Sequence, residues 1–261
     1  MEAKRIVVKV GTSTLTHESG RLNLRRVEQL VKVLCDLNNS GKEIILVSSG
    51  AIGVGVGKLG LKKRPSENRK KQAVAAVGQC ELMFIYDKLF GEYNHNIAQI
   101  LLTKYAVETE EKKQHVVNTV DTLIEMGIIP IINENDTVAI DELDGENFGD
   151  NDRLSAIVAD IVNADLLIML TDIDGLYTSN PRNNPNAEKI EIVEEITDDI
   201  RTMAGGTGSS RGTGGMITKI IAADYATSRG IECCIMNGET PKRLYDLFDG
   251  KKIGTLFKAK K

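Results

Sequence analysis

Arg5-Ile6-Val7-Val8-Lys9-Val10, closed by Gly11-Thr12-Ser13, is a short β-branched run with almost no polar alternation. A strand written this way is covered on both faces, as in parallel sheets flanked by helices. The signature returns at 43–47, 97–102, 128–132, 166–170 and 232–236. Between the first two runs, Leu24, Val27, Leu30, Val31, Leu34 and Leu37 recur at helical spacing, with Asn23 placed as N-cap and Gly41 just past the end. Further helical patterns cover about 67–89, 108–126, 153–163, 217–229 and 242–248. Strand and helix therefore alternate, which predicts an α/β fold: a three-layer αβα sandwich around a mostly parallel central sheet with right-handed crossovers. No internal repeat and no Ser/Pro-rich linker interrupts the pattern, so residues 1–261 read as a single domain.

Composition narrows the function. The 261 residues carry 33 Lys+Arg against 37 Asp+Glu, a formal net charge of -4, and 41% are hydrophobic, so the chain is globular rather than disordered. No basic block supplies the footprint of a nucleic-acid binder. Aromatic residues are only 4% and Trp is absent, which removes base-stacking platforms. No apolar run approaches the ~18 residues of a membrane span. The opening MEAKRIVVKVGTS enters a strand at once, without a signal-like apolar region. Cys35, Cys80, Cys233 and Cys234 show neither metal-ligand spacing nor a disulfide framework. The expected location is the cytoplasm.

In an open parallel sheet the ligand crevice lies beyond the carboxyl ends of the strands. Lys9 stands near such an end, where its ammonium can reach a bound anion while Gly11 lets the backbone approach a phosphate. After the second strand, Ser48-Ser49-Gly50 leads into a glycine-rich stretch. There Gly55, Gly57 and Gly60 satisfy GxGxxG, but the first of them lies about eight residues past the strand. No carboxylate closes a second strand some 20 residues on, so the dinucleotide reading fails. The better reading is a strand–helix junction whose amides and hydroxyls take a polar or anionic substrate group.

Asn133-Glu134-Asn135-Asp136 follows the fourth strand, and Gly149-Asp150-Asn151-Asp152 opens a helix beyond an acidic, turn-rich segment at 141–149. Carboxamides and carboxylates gathered there suit a ligand bearing both an ammonium and a carboxylate. Thr171-Asp172 ends the fifth strand. A loop at 205–215, six of whose eleven residues are glycine, leads into Gly212-Thr213-Gly214-Gly215-Met216-Ile217-Thr218-Lys219. Exposed amides plus one ammonium can hold a phosphate chain. His17, His95 and His115 have no neighbours resembling a triad or zinc site. Two lysines, phosphate-cradling loops and no conventional base fit phosphoryl transfer, with Mg²⁺ bridging the nucleotide phosphates.

Together, KVGTSTLT (9–16), VSSGAI (47–52), INENDTV (132–138), GDNDRLSA (149–156), LTDIDGLYT (170–178), PRNNP (181–185) and GTGGMITK (212–219) resemble the amino-acid kinase superfamily, and within it the glutamate-kinase branch. The resemblance implies that ATP phosphorylates the γ-carboxylate of L-glutamate, the first step of proline synthesis. By the same resemblance Lys9 and Lys219 flank the transferred phosphoryl group and Asp152 holds them. Ser49, Asn133, Asp136, Asp150 and Asn151 form the glutamate set. Lys9, Gly11, Thr171, Asp172, Thr213, Gly214, Gly215, Met216, Ile217, Thr218 and Lys219 form the ATP set. Mg²⁺ is then held mainly by ATP phosphates rather than by protein ligands. The first half of the chain binds the acceptor and the second half the nucleotide. Also implied are feedback inhibition by proline, a homo-oligomer (dimer or tetramer) and a glutamyl phosphate reductase taking the product. Many relatives add a C-terminal PUA domain, which a chain stopping at Lys261 is expected to lack. Asn180 stands where relatives often have Asp. A sibling kinase for aspartate or N-acetylglutamate is the nearest alternative.

Overall fold

The computed structural model describes residues 2–17, 19–138, 151–181, 183–204 and 215–260. The first half runs β1 (Arg5–Val10), α1 (Thr12–Leu15), α2 (Leu24–Asn39), β2 (Glu43–Ser48), α3 (Ala51–Lys58), α4 (Asn68–Gly91), β3 (Ile97–Leu102), a 3-10 turn (Lys104–Val107), α5 (Glu110–Glu125) and β4 (Ile129–Glu134). The second half runs α6 (Asn151–Ile161), β5 (Leu166–Thr171), β6 (Leu176–Tyr177), β7 (Lys189–Ile190), β8 (Ile192–Val193), α7 (Asp198–Ala204), α8 (Met216–Thr227), β9 (Glu232–Asn237), α9 (Arg243–Phe248) and β10 (Thr255–Phe257).

Among the described residues an eight-stranded sheet has the order β3-β4-β2-β1-β5-β9-β10-β8. The first six of these strands are mutually parallel. β10 runs antiparallel to β9 and carries β8 parallel to itself. These two strands, three and two residues long, are too short for hydrophobic periodicity to announce. The mostly parallel α/β sandwich is otherwise as the sequence predicts.

Alternation along each strand divides the core in two. Val7, Val47, Ile132, Met169 and Ile235 pack with α5, α6 and α8. Ile6, Val8, Val10, Leu46, Ile131, Ile168 and Met236 pack with α2, α4 and α9 on the other face. Each such side chain contributes roughly 1.5–3 kcal/mol when fully buried. The strand order turns back at β1: β2, β4 and β3 lie on one side of it, β5 and β9 on the other. The carboxyl end of β1 is thus the place where an open sheet presents a crevice.

Local signals behave as expected where caps decide them. Asn23 Oδ1 accepts the Arg26 amide at 3.2 Å at the start of α2, and Gly41 takes φ +94° beyond its end. Helix α6 begins at Asn151, two residues before its apolar periodicity, which brings Asp152 into the first turn. Of the GxGxxG stretch, Gly55 serves a helix–helix contact, whereas Gly57 meets the backbone of Gly20 and Gly60 faces open space. A Cβ on Gly55 would lie 2.1 Å from Val74 O, and one on Gly78, outside that stretch, only 1.7 Å from Ala51 O. Gly55 and Gly78 let α3 and α4 touch backbone to backbone. The acidic segment at 141–149 and residues 205–214 of the glycine loop lie outside the described residues.

Candidate active site

Lys9 shares the face of Val7, because side chains alternate along a strand. It therefore points toward α6 and α8, and it emerges near the carboxyl end of β1 between β2 and β5. Lys9 Nζ donates to Asp152 Oδ1 at 2.6 Å, and Lys219 Nζ donates to Oδ2 of the same carboxylate at 2.9 Å. Thr218 Oγ1 stands 3.0 Å from that Oδ2 and 2.9 Å from Gly215 O. All three charged side chains are buried, with exposures of 8%, 1% and 9% for Lys9, Asp152 and Lys219. Burial by itself would raise the Asp152 carboxyl, but the two flanking ammonium groups outweigh it and hold the group well below the ordinary carboxylate range. Two positive charges thus share one negative charge in a buried setting. Isolated buried charge is costly, so the arrangement favours a further anion.

The backbone around this trio is shaped for the same purpose. Helices α1, α3 and α8 start at Gly11, Gly50 and Gly215, each without a side-chain cap. Apart from that of Thr14, which donates to Gly11 O at 3.0 Å, their first-turn N–H groups can serve a bound anion. Gly50 takes φ +103°, a conformation that L side chains rarely adopt, and this turns the chain sharply from β2 into α3.

A second cluster lies at the ends of β2 and β4. Asn151 Nδ2 donates to Ser49 Oγ at 2.7 Å and to Asn133 Oδ1 at 3.1 Å. Asn133 Oδ1 also accepts the Glu134 amide at 2.9 Å, and Asn133 Nδ2 donates to Gln79 Oε1 at 2.8 Å. Asn151 Oδ1 is buried with no hydrogen-bond partner among the described residues. Because Asn151 and Asp152 are consecutive on α6, this polar cluster and the lysine pair adjoin.

The structure thus joins Lys9, Asp152, Thr218 and Lys219, and separately Ser49, Asn133 and Asn151. Asp136 sits half-buried in the turn after β4. Thr171 ends β5 with its hydroxyl 3.2 Å from Asp172 Oδ1, and Asp172 is exposed. Met216 and Ile217 form the first turn of α8 and pack partly onto the core. Asp150, Thr213 and Gly214 lie outside the described residues. Sequence reading missed Gln79, which lies mid-helix in α4 with no motif around it.

Comparison with known proteins agrees with this geometry. The chain is 60% identical over 261 residues to glutamate 5-kinase of Clostridium perfringens (strain 13 / Type A), covering 100% of this chain and 97% of that protein. It is 53% identical over 260 residues to glutamate 5-kinase of Listeria monocytogenes serovar 1/2a, covering 99% and 94%. A UMP kinase structure from Bacillus anthracis aligns with TM-score 0.66 at 15% identity, over 99% of this chain and 97% of that one. An isopentenyl phosphate kinase structure from T. acidophilum aligns with TM-score 0.66 at 17% identity, over 98% and 100%. These two show the shared fold. Residues 4–237 match the amino acid kinase family, and the chain belongs to that family.

Proposed function

We propose that the chain is an ATP-dependent kinase that phosphorylates the γ-carboxylate of L-glutamate, giving ADP and L-glutamyl 5-phosphate for proline biosynthesis. The observation that carries this reading is the buried pair of ammonium groups on one carboxylate, at the strand ends where a parallel sheet binds ligands. The names of relatives at 52–60% identity across nearly the whole chain support glutamate as the acceptor.

A γ-carboxylate has an ordinary pKa near 4.3 and is already ionised at neutral pH. No base is needed: a carboxylate oxygen attacks the γ-phosphorus, the bond to the β–γ bridging oxygen breaks, and ADP leaves with that electron pair. The obstacle is repulsion between two anions. Lys9 and Lys219 offset it by flanking the transferred group, and Asp152 fixes both ammonium groups in place. Gly11, Thr171, Asp172 and residues 213–219 serve the nucleotide. Ser49, Asn133, Asp136, Asp150 and Asn151 serve the acceptor, so glutamate lies mainly on the first-half side of the single domain, reached by Asp150 and Asn151 from the second half, and ATP mainly on the second-half side, reached by Gly11 from the first.

Asp152, the buried carboxylate of the site, is engaged by two ammonium groups. Mg²⁺ would therefore be held mainly by the ATP phosphates, where it would supply charge neutralisation. Proline feedback at or beside the acceptor site, transfer of the labile acyl phosphate to a glutamyl phosphate reductase and a cytoplasmic location complete the reading. Among the described residues, no helix is long and apolar enough to cross a membrane.

A homo-oligomer is supported by the outer face of α4, where Ala73, Ala76, Val77, Cys80 and Phe84 form an exposed stripe. Phe84 is 62% exposed. Exposed Arg69 and Lys70 lie toward one end of the helix, and exposed Asp87 and Glu92 toward the other. An antiparallel two-fold pairing centred on Cys80 would set Phe84 against Ala76 of a second copy.

Trapping with hydroxylamine tests the reaction. With ATP, Mg²⁺ and glutamate the acyl phosphate is expected to yield the hydroxamate, with ADP release dependent on glutamate. Hydroxamate from N-acetylglutamate or aspartate, and none from glutamate, would overturn the acceptor assignment.

A further inference from the structure

We propose that Gln79 is a positioning residue that sets which atom the acceptor site offers to the substrate ammonium. The proposal rests on the reading of this crevice as an amino-acid acceptor site. Its starting point is a group that cannot be turned around: the backbone N–H of Glu134 only donates, and it lies 2.9 Å from the side-chain oxygen of Asn133. That contact sends Asn133 Nδ2 to the opposite side, where Gln79 Oε1 receives it at 2.8 Å. The same Asn133 oxygen takes a second donor, Asn151 Nδ2, which also reaches Ser49 Oγ. Asn151 must then present its oxygen elsewhere, and that oxygen is the buried atom with no partner among the described residues. Its complement is an N–H donor on the ligand, as the α-ammonium of an amino acid provides.

Gln79 and Asn133 are 8% and 1% exposed, so water does not substitute for a missing partner. With Gln79 Oε1 removed, Asn133 Nδ2 becomes a buried donor without an acceptor, and the amide is held only through the Glu134 N–H and Asn151 Nδ2. Rotation of Asn133 to relieve that orphaned donor gives up its contact with Asn151, and the sense of Asn151 is then no longer fixed. In its other sense Asn151 Nδ2 faces the ligand, donor against ammonium. Helix α4 is pinned for this task on both sides of Gln79. Gly78 brings it against Ala51 of α3, and Tyr86 OH meets Ser48 Oγ at 2.9 Å.

The test compares glutamate with glutarate, its analogue lacking the ammonium, in the full-length enzyme and in Gln79→Leu, Gln79→Met and Gln79→Glu. Gln79→Leu is expected to lower the preference for glutamate over glutarate, as a ratio of kcat/KM, by about 10–100-fold, the scale of one hydrogen bond to a charged group. The KM for ATP should stay within about two-fold of the parent, on the same reasoning. Gln79→Met, unbranched and without an acceptor, gives the same readout should the Leu variant not fold. Gln79→Glu retains an acceptor for Asn133 and should keep the preference. An unchanged ratio in the acceptor-less variants overturns the proposal, as does equal loss with Glu, which would mark a packing role. If the parent enzyme instead prefers a different acid, the acceptor reading fails, and that acid with its deaminated analogue then tests Gln79.

Discussion

Lys9 Nζ lies 2.6 Å from Asp152 Oδ1 although 143 residues separate them along the chain. Lys219 closes the other side of the carboxylate. In such a triad each member has a distinct loss, because removing a lysine removes charge from the reaction whereas removing the aspartate strands two buried charges.

Replacing Lys219 by Ala is expected to lower kcat by about 10²–10³-fold, the range found for a lost transition-state charge contact. Asp152 keeps Lys9 as partner, so a thermal melt should change far less than turnover. Glutamate-dependent ADP release measures the first quantity; near-parental activity would contradict the role assigned to this lysine.

Asp152→Asn should destabilise the fold at pH 7 by about 3–5 kcal/mol, the cost of breaking a buried ion pair from one side. The pH dependence follows from the depressed carboxyl. A folded value below the unfolded one, near 3.9, gives stability that is fully present above that pH and drains away as acid protonates the native carboxylate. The parent protein should therefore lose stability more steeply than Asp152→Asn below about pH 4. Urea midpoints at pH 7 and pH 3 give the comparison; parallel losses in both proteins would exclude Asp152 as the acid-sensitive group.

Gly78→Ala places a methyl 1.7 Å from Ala51 O, a backbone atom with nowhere to go. The expected destabilisation is about 3 kcal/mol or more. Since α3 follows the Ser49–Gly50 turn, the KM for glutamate should rise in whatever fraction folds. Circular dichroism melts alongside kinetics would check both, and an unchanged melt would show that the two helices separate easily.

Only one of the four thiols should react quickly with Ellman's reagent in the folded monomer. Cys80 is exposed, whereas Cys35, Cys233 and Cys234 are buried. Burial pushes the thiols of Cys35 and Cys234 up to about 12, and that of Cys233 upward as well. If α4 pairs with a second copy about Cys80, mild oxidation should produce a covalent dimer that Cys80→Ser cannot form, and Phe84→Glu should shift sedimentation toward monomer. A monomeric parent protein would remove α4 as the contact.

Five of the parallel strands are legible because each is a nearly continuous apolar run, and a run of that kind requires cover on both faces, whereas β3, interrupted by Gln99, lies half-covered at the sheet edge. Lys9 declared itself by contrast, one charge within such a run. The α2 cap at Asn23 and its stop at Gly41 needed only local hydrogen bonding and a positive φ. Lys219 is marked by the glycine loop before its helix, but only the resemblance ties Asp152 to the two lysines, since no periodicity relates residues 9, 152 and 219.

What the chain's own pattern determined, then, was which segments pair into a sheet and which residue types gather at its carboxyl edge. Tertiary structure alone decided the rest. It showed that Gly55 and Gly78 serve a contact between helices, that β8 and β10 extend the sheet in the opposite sense, and that Gln79 reaches Asn133 from another element. The physical reason is range. Burial and capping are written within a few neighbouring residues, whereas the sense of a carboxamide or the partner of a buried charge is fixed by atoms that only folding brings within 3 Å.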